Sequence, residues 1–459
     1  MKTVCLIACL LLLKISFGQP VAALINRTVN QLGQDSQFEH AIMSMYVADA
    51  KTGKTIYEKN AAIGLAPASC QKIVTSAAAF ELLGKTYRYN TFIKTYKTGD
   101  STFLFIDANG DPTLGSWRWD ATKMEKIYNY IYTALRKKNI SALGAHIGFQ
   151  ENKFSFQPIP DGWVWQDIGN YYGAGAWAFN WHENQYDLVL SSGNSAGDIT
   201  RIKSFDPASA EMSISNFIST GKKGSGDNAY IYSAPYSNAA FATGTIPPGQ
   251  DKFSISGSMP DPSLVFVKGL KAYLHENDIK IPDENAATKK TADAASELLY
   301  TLISPSLDSI NYWFLKKSVN LFGEAFVKTI SYEKTGYGST DTGISIIKDF
   351  WDKKGISRSA LNIIDGSGLS PANRITTKAL VSILQYAKGR PWFDSFYNAL
   401  PEMNGIKMKD GYIGGVRSYA GYIKSKSGTE YIFSFIVNNF DGNPGTVREK
   451  IWKLLDVLK

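Results

Sequence analysis

Apolar and polar residues alternate through AIMSMYVADAKTGKTIYEKNA, residues 41–61, on either side of Lys51-Thr52-Gly53. This period of two around a Gly-containing turn predicts a β-hairpin. LAPASCQKIVTSAAAFELLG, residues 65–84, follows directly and predicts a helix, with Pro67 just before it and Gly84 at its stop. From about residue 91 the pattern breaks into short strand-like runs separated by Gly, Asp, Asn and Ser, among them TFIKTYKTGDSTFLFIDANGDPTLGS, DLVLSSGNSAGD and NAYIYSAPYSNAAFATGTIPPG. Helical periodicity resumes at SELLYTLISPSLDSINYWFLKKSVNLFGEAFVKTI, residues 296–330, and continues through STDTGISIIKDFWDKKG and ITTKALVSILQYAKG. Two more strands, GGVRSYAGYIKSK and TEYIFSFIVNNF, are joined by Ser427-Gly428, and an amphipathic helix, TVREKIWKLLDVLK, closes the chain.

Helix and strand at one end of the chain, strands and helix at the other, predict a single α/β (α+β) domain built from residues 19–90 and 296–459. It is split by a strand-rich insertion, residues 91–295, in two subdomains. The opening MKTVCLIACLLLLKISFGQP has a basic start, an apolar run and small residues at Ser16 and Gly18, which predicts an export signal over residues 1–18. Too few apolar residues precede Cys9 for the LIAC stretch to serve as a lipoprotein box. Cys5 and Cys9 leave with the signal, so Cys70 stands alone and no intrachain disulfide is expected. No later segment is apolar over the twenty or so residues that a membrane span needs, so the expected location is outside the cytoplasm, soluble or peripheral to wall or membrane.

Removing Lys2 and Lys14 lowers the 49 basic residues to 47 against 41 acidic ones, a net charge of +6. Without long Lys/Arg runs, this mild excess suits an anionic surrounding such as a cell wall and does not point to nucleic acid. An aromatic content of 13% agrees with a globular protein. His40, His146, His182 and His275 show no metal-ligand spacing, which argues against a zinc peptidase. DGSGLS lacks the Gly two residues before Ser367 that a Gly-x-Ser-x-Gly elbow requires. No metal or cofactor is expected.

The chemistry concentrates at Ser69 and Lys72. A serine hydroxyl is a poor nucleophile near neutral pH and needs a base beside it. Residues i and i+3 share a helix face, so the Lys72 amine can approach the Ser69 oxygen, and a helix N-terminus favours developing negative charge. Burial and a second cation would lower the lysine pKa enough for it to take the serine proton. Ser-x-x-Lys recurs at Ser219/Lys222, Ser331/Lys334 and Ser345/Lys348, but only Ser69 opens an Ala-rich apolar helix directly after a hairpin.

With its preceding hairpin, PASCQKIVTSAAAFELLG resembles the active-site serine motif of penicillin-recognising enzymes, whose elements are Ser-x-x-Lys, Ser-x-Asn and Lys-Thr-Gly. More narrowly, it resembles the D-alanyl-D-alanine carboxypeptidase/endopeptidase group of low-molecular-mass penicillin-binding proteins, which carry a large insertion. GDPTLGS (110–116), GWVWQD (162–167), YYGA (171–174), IYSAPYSN and GTIPPG (231–249) resemble that insertion. SPSL (304–307), KSVNLFGEAF (317–326) and DGSGLSPANRIT (365–376) resemble its second half, and the order of the segments makes the match specific. The resemblance implies a transpeptidase-like domain, an antiparallel sheet flanked by helices, that cleaves D-alanyl bonds of peptidoglycan stem peptides through an acyl-serine and is labelled covalently by β-lactams. It implies that Ser318 relays a proton to the leaving amine, that Asn320 bonds Lys72 and the substrate carbonyl, and that the backbone N–H groups of Ser69 and Tyr412 form the oxyanion hole.

The Lys-Thr-Gly triplets at Lys51, Lys97 and Lys334 all fall in the wrong place. The segment in the right place, IKMKDGYIGGVRSYAGYIKSK, reads Lys409-Asp410-Gly411. Lys409 can still be the second cation that depresses Lys72, and Gly411 still lets substrate approach a strand edge. Asp410 departs from the motif. Where the resemblance implies a hydroxyl for the carboxylate beside the scissile amide, an aspartate would repel it by on the order of 4 kcal/mol at about 4 Å and an effective dielectric near 20. Three readings follow, in this order: Arg417 neutralises Asp410 or holds the substrate carboxylate; the substrate carboxylate is amidated; turnover is weak. Trp163, Trp165, Tyr171 and Tyr172 either line a carbohydrate or peptide groove or pack the insertion, and Asp167 beside them is a candidate substrate contact. Cys70 reads as a core residue. The competing functions are a weakly active peptidoglycan-binding protein and a β-lactamase or esterase of the same superfamily.

Overall fold

The hairpin expected at residues 41–61 forms from strands Ile42–Asp49 and Thr55–Lys59, with the Asp49 carboxylate accepting the Lys51 and Thr52 N–H groups and Gly53 turning at φ 71°. The computed structural model describes residues 21–150, 152–282 and 296–459, with the backbone of a strand at Ala286–Lys289. The export signal expected at residues 1–18 lies outside the described residues.

The hairpin is one end of a six-stranded antiparallel sheet. Ile42–Asp49 pairs on its other side with Glu430–Asn438, which is followed in space by Val416–Lys424, Ile406–Ile413 and the two-residue strand Glu402–Met403. Residues almost four hundred positions apart are thus direct partners, as Ile42 is of Asn438. Alternation along Ile42–Asp49 explains its burial on both faces. Met43, Met45 and Val47 join Ile25, Val29, Val447 and Ile451 from the helices Val21–Gly33 and Pro444–Leu455. Tyr46 and Ala48 face the opposite layer, with Ile73 of the helix Lys72–Leu82, Phe314 of Leu307–Lys316 and Leu384 of Thr377–Lys388.

The insertion has its own core, in which Trp181, Phe179, Phe149 and Phe266 pack together. A five-stranded sheet runs in the order Ala286–Lys289, His146–Gln150, Ser101–Asp107, Asn90–Thr98, Glu297–Ile303. Its last pair is antiparallel and places the entry and exit of the insertion side by side. Residues 297–303, expected to open a helix, are therefore strand. Leu298 is exposed and Leu302 buried, a half-buried edge whose pairing with Asn90–Thr98 overrides the helical preference of a Leu-rich stretch. Two three-stranded sheets complete the insertion: Ser213–Thr220, Ala239–Ile246, Tyr230–Ser233, and Phe253–Ser258, Gln185–Ser191, Arg201–Asp206.

The helix Asn320–Thr335 fastens the insertion to the sheet domain. Lys328, fully buried, donates from Nζ to the carbonyls of Gln157 (2.8 Å) and Ala176 (2.7 Å). Asn320 donates to the Tyr172 carbonyl at 2.7 Å. A cleft of about 960 Å³ lies between insertion and sheet domain, lined on one side by Trp117, Gln166, Asp167, Tyr172 and Tyr230, on the other by Ser69, Ser318, Asn320 and Tyr412.

Candidate active site

Ser69 lies in a 3₁₀ turn, Ala68–Gln71, and the α-helix itself begins at Lys72. The sequence placed Ser69 in the first turn of the α-helix. The chain departs because Ala68 adopts φ 43°, a conformation costly for a residue with a Cβ. The Pro67 carbonyl is pinned there by the Ser418 hydroxyl at 2.5 Å. Ser318, across the cleft, also sits at positive φ, 57°.

Lys72 is fully buried, and its Nζ donates to Ser69 Oγ at 3.0 Å, Asn320 Oδ1 at 2.6 Å and the Ser367 carbonyl at 2.7 Å. Burial is the main force pushing its pKa down, Lys409 adds to the effect, and Asp365, Glu324 and Asp410 oppose it, leaving it at about 7. An amine with that pKa is unprotonated, and so able to act as a base, in a substantial share of molecules near neutrality. Of the four Ser-x-x-Lys spacings, Ser69/Lys72 pairs its own two members. Ser331, by contrast, donates to the Tyr337 carbonyl.

The strand Ile406–Ile413 brings the third element alongside. Glu402–Met403 pairs only with Ile406 and Lys407, so this strand has an edge from Met408 onward without a strand partner, against the Ser69 turn. Cys70 Sγ, buried, donates to the Lys409 carbonyl at 3.1 Å, which ties the turn to that edge, and burial pushes its thiol up to about 12, so it is inert as a nucleophile. A Cβ on Gly411 would lie 2.8 Å from the Ser69 nitrogen and 2.7 Å from the Pro67 oxygen. Only glycine permits this approach.

Lys409 is 1% exposed, and its Nζ donates to the Asp410 carbonyl (2.8 Å) and Oδ1 (3.1 Å). Burial pushes the Asp410 carboxyl up, but the Lys409 ammonium outweighs this and holds it below its usual range, with Arg417 contributing least. The cation paired with Asp410 is therefore Lys409, while Arg417, expected to neutralise Asp410 or to hold the substrate carboxylate, adds only a smaller Coulombic lowering. Arg417 lies over the Tyr412 ring, 4.3 Å from its centroid. Tyr412 lines the cleft and is half exposed. Asp167 also lines it, half-buried, pushed up by burial against a hydrogen bond from Tyr172. The aromatic cluster divides: Trp163 is buried with its indole N–H on Asp365 (2.9 Å), Tyr171 and Tyr172 line the cleft, and Trp165 is exposed beside it.

Sequence reasoning missed the groups that hold the Ser367 carbonyl in place. Asp365 accepts from the Gly368 and Ser370 N–H groups and from Gln71, Trp163 and Asn373 side chains, at 2.7–3.0 Å. Glu324, fully buried, accepts from the Gly366 N–H at 3.0 Å, and burial pushes its carboxyl up to about 8. The signal was present in KSVNLFGEAFVKTI, where Asn320, Glu324 and Lys328 recur every four residues on one helix face.

Residues 25–457 match the D-Ala-D-Ala carboxypeptidase 3 (S13) family. The chain belongs to that family. It is 24% identical over 452 residues to the D-alanyl-D-alanine carboxypeptidase of Actinomadura sp. (strain R39), covering 91% of this chain and 81% of that one. With D-alanyl-D-alanine carboxypeptidase DacB of Haemophilus influenzae it shares 21% identity over 453 residues, 94% and 91% of the two chains. The crystal structure of penicillin binding protein 4 from Haemophilus influenzae superimposes with a TM-score of 0.77 at 19% identity over 93% of this chain and 97% of that one. The fold is thus the penicillin-recognising one that the sequence pattern implied, and the chain is a serine-type peptidase of this family.

Two outcomes test this geometry. Asp365→Ala, which removes an acceptor shared by five donors, should lower stability by about 3 kcal/mol or more, as read by denaturant unfolding. Gly411→Ala should leave the fold intact, by circular dichroism, while slowing acylation of Ser69 about a hundredfold.

Proposed function

We propose that Ser69 is the nucleophile of an exported DD-peptidase that cleaves D-alanyl amide bonds in peptidoglycan stem peptides, and that β-lactams label it covalently. Lys72 Nζ takes the Ser69 hydroxyl proton as Oγ bonds to the D-alanyl carbonyl carbon. Backbone N–H groups of Ser69 and Tyr412 stabilise the oxyanion, and collapse breaks the carbonyl–nitrogen bond, the amine leaving with a proton relayed through Ser318. Asn320 holds Lys72 and the substrate amide, and water then releases the acyl group by the reverse proton path. The observation that carries this reading is the buried Lys72 amine 3.0 Å from Ser69 Oγ with three acceptors fixing it.

The cleft extends far beyond a dipeptide's volume, which supports a branched or crosslinked stem peptide as substrate, with Asp167 and Gly411 in contact with it. The Lys409–Asp410 pair carries no net charge. It therefore offers a free terminal carboxylate little attraction, and favours endopeptidase action or an amidated neighbour over carboxypeptidase action. Arg417 braces Tyr412 from outside the cleft. Export is supported by the opening sequence and by the wall substrate of this family reading. No helix among the described residues is long and apolar enough to cross a membrane.

Benzylpenicillin should add its full mass to Ser69, located by peptide mass spectrometry, and Ser69→Ala should take none. A folded wild-type sample that stays unmodified after prolonged exposure refutes the acyl-enzyme. The acylation rate should rise with pH through a midpoint near 7, as Lys72 loses its proton. Since Lys409 lowers the Lys72 pKa and Asp410 raises it, Lys409→Met should move the midpoint to higher pH and Asp410→Asn to lower pH. Stopped-flow acylation across pH reads both shifts, and shifts of one sign in both variants would overturn the assignment.

A further inference from the structure

The outer face of the three-stranded sheet Ser213–Thr220, Ala239–Ile246, Tyr230–Ser233 is open to solvent at Ser213, Ser215, Phe217, Ala239 and Phe241. Side chains alternate along each strand, and the inward set, Ile218, Ile231, Ala242 and Ile246, is buried in the insertion core. The outward set is aromatic and hydroxylic. Phe217 is 68% and Phe241 38% exposed, and Ile199, bridged to Ser219 at the sheet margin, is 75% exposed. Phe241 stacks on its cross-strand partner Tyr232, centroids 4.7 Å apart and planes within 7°, and Tyr232 meets Trp165 at 5.9 Å. An aromatic strip therefore runs from Phe241 through Tyr232 to Trp165, with Phe217 and Ile199 exposed on the same face. Ser215 pairs with Phe241 and Thr243 with Phe217, Ser213 and Ser219 lie at the two ends, and no outward position of the three strands bears a charge.

This strip leads into the active-site cleft. Tyr230, two residues before Tyr232 and on the same face of the strand, lines the cleft, as do Val164 and Gln166 on either side of Trp165. The junction is fixed by a reciprocal amide pair: Asn170 Oδ1 accepts the Ile231 N–H at 3.1 Å and Asn170 Nδ2 donates to the Ile231 carbonyl at 3.4 Å. Gly169 packs so closely on this strand that a Cβ there would collide with its backbone.

We propose that this face is a glycan platform, which receives an uncharged strand of N-acetylhexosamines while a stem peptide attached to that strand occupies the cleft. The proposal rests on the peptidoglycan reading of the cleft. Sugar rings present apolar C–H faces to aromatic rings and hydroxyls at their rims, which matches rings separated by Ser and Thr. Exposed aromatic residues grouped in this way mark an interaction surface. The strands themselves present no cation on this face, and the lysines nearest to it, Lys222 and Lys223, lie in the loop after Thr220, too few to form the basic patch that anionic lipid or nucleic acid would need.

The test uses the full chain and chitohexaose, six β-1,4-linked N-acetylglucosamines without peptide. Titration calorimetry should show saturable binding for wild type and for Ser69→Ala. Tyr232→Ala/Phe241→Ala should weaken it about tenfold or more, and Tyr232→Phe/Phe241→Tyr should restore it. Benzylpenicillin labelling of Ser69 should stay the same in all but Ser69→Ala, which reports that the cleft is intact. Wild type that does not bind the sugar, or an alanine pair that binds it unchanged, overturns the proposal. So does an alanine pair that loses only self-association in sedimentation velocity, or only binding to phosphatidylglycerol vesicles, since the face would then serve a second copy or a lipid surface. Sugar binding without any penicillin adduct would support the platform and count against the acylating mechanism alone, so the two failures are separable.

Discussion

Everything at this site depends on removing one amine from water. An ammonium is costly to bury, and Lys72 meets that cost through a lowered pKa: its environment offers acceptors in Ser69, Asn320 and Ser367, while a second lysine stands close enough to disfavour its charge. Each acceptor comes from a different part of the chain. The Ser69 turn, the start of the helix Asn320–Thr335 and the loop at 365–368 must all arrive for the amine to be held, so the geometry of one hydrogen-bonded nitrogen defines how the sheet domain packs.

The same helix extends this constraint outward. Asn320 touches Lys72, Glu324 holds the backbone that presents the Ser367 carbonyl, and Lys328 grips two carbonyls of the insertion. One stripe of polar side chains along an otherwise apolar helix therefore joins the base, the loop behind it and the wall of the cleft. Its burial suits rigidity over adaptability, since a half-satisfied polar network in a low-dielectric interior is expensive.

The fold was legible where local pattern and tertiary role agree. The hairpin at 41–61, the Ser69 segment and the two C-terminal strands show period and turn chemistry that their environment reinforces. It was illegible at 297–303, where a Leu-rich run carries no turn signal and only its partner strand decides the outcome. Candidate residues with a motif behind them, Ser69, Lys72, Ser318, Asn320 and Tyr412, come together around one cleft. Asp410 could be flagged as a departure, but the partner of its charge could not be read. A neighbouring residue on an extended strand points to the other face, and sequence gives no hint that the long Lys409 side chain curls back around the edge. The roles of Asp365 and Glu324 were hidden because a buried acid is recognised by the donors around it, and those are backbone N–H groups and side chains as distant in sequence as Gln71 and Trp163.

The pairing of Ile42 with Asn438 also sets an order of events during biosynthesis. The insertion closes on itself once the strand Glu297–Ile303 has emerged to meet Asn90–Thr98, so its core can form while the rest of the polypeptide is still being made. The sheet beneath Ser69 has no central strand until residues 430–438 arrive. The layer that carries Ser69 is therefore completed only when nearly the whole polypeptide has been made, because one late strand joins its two halves.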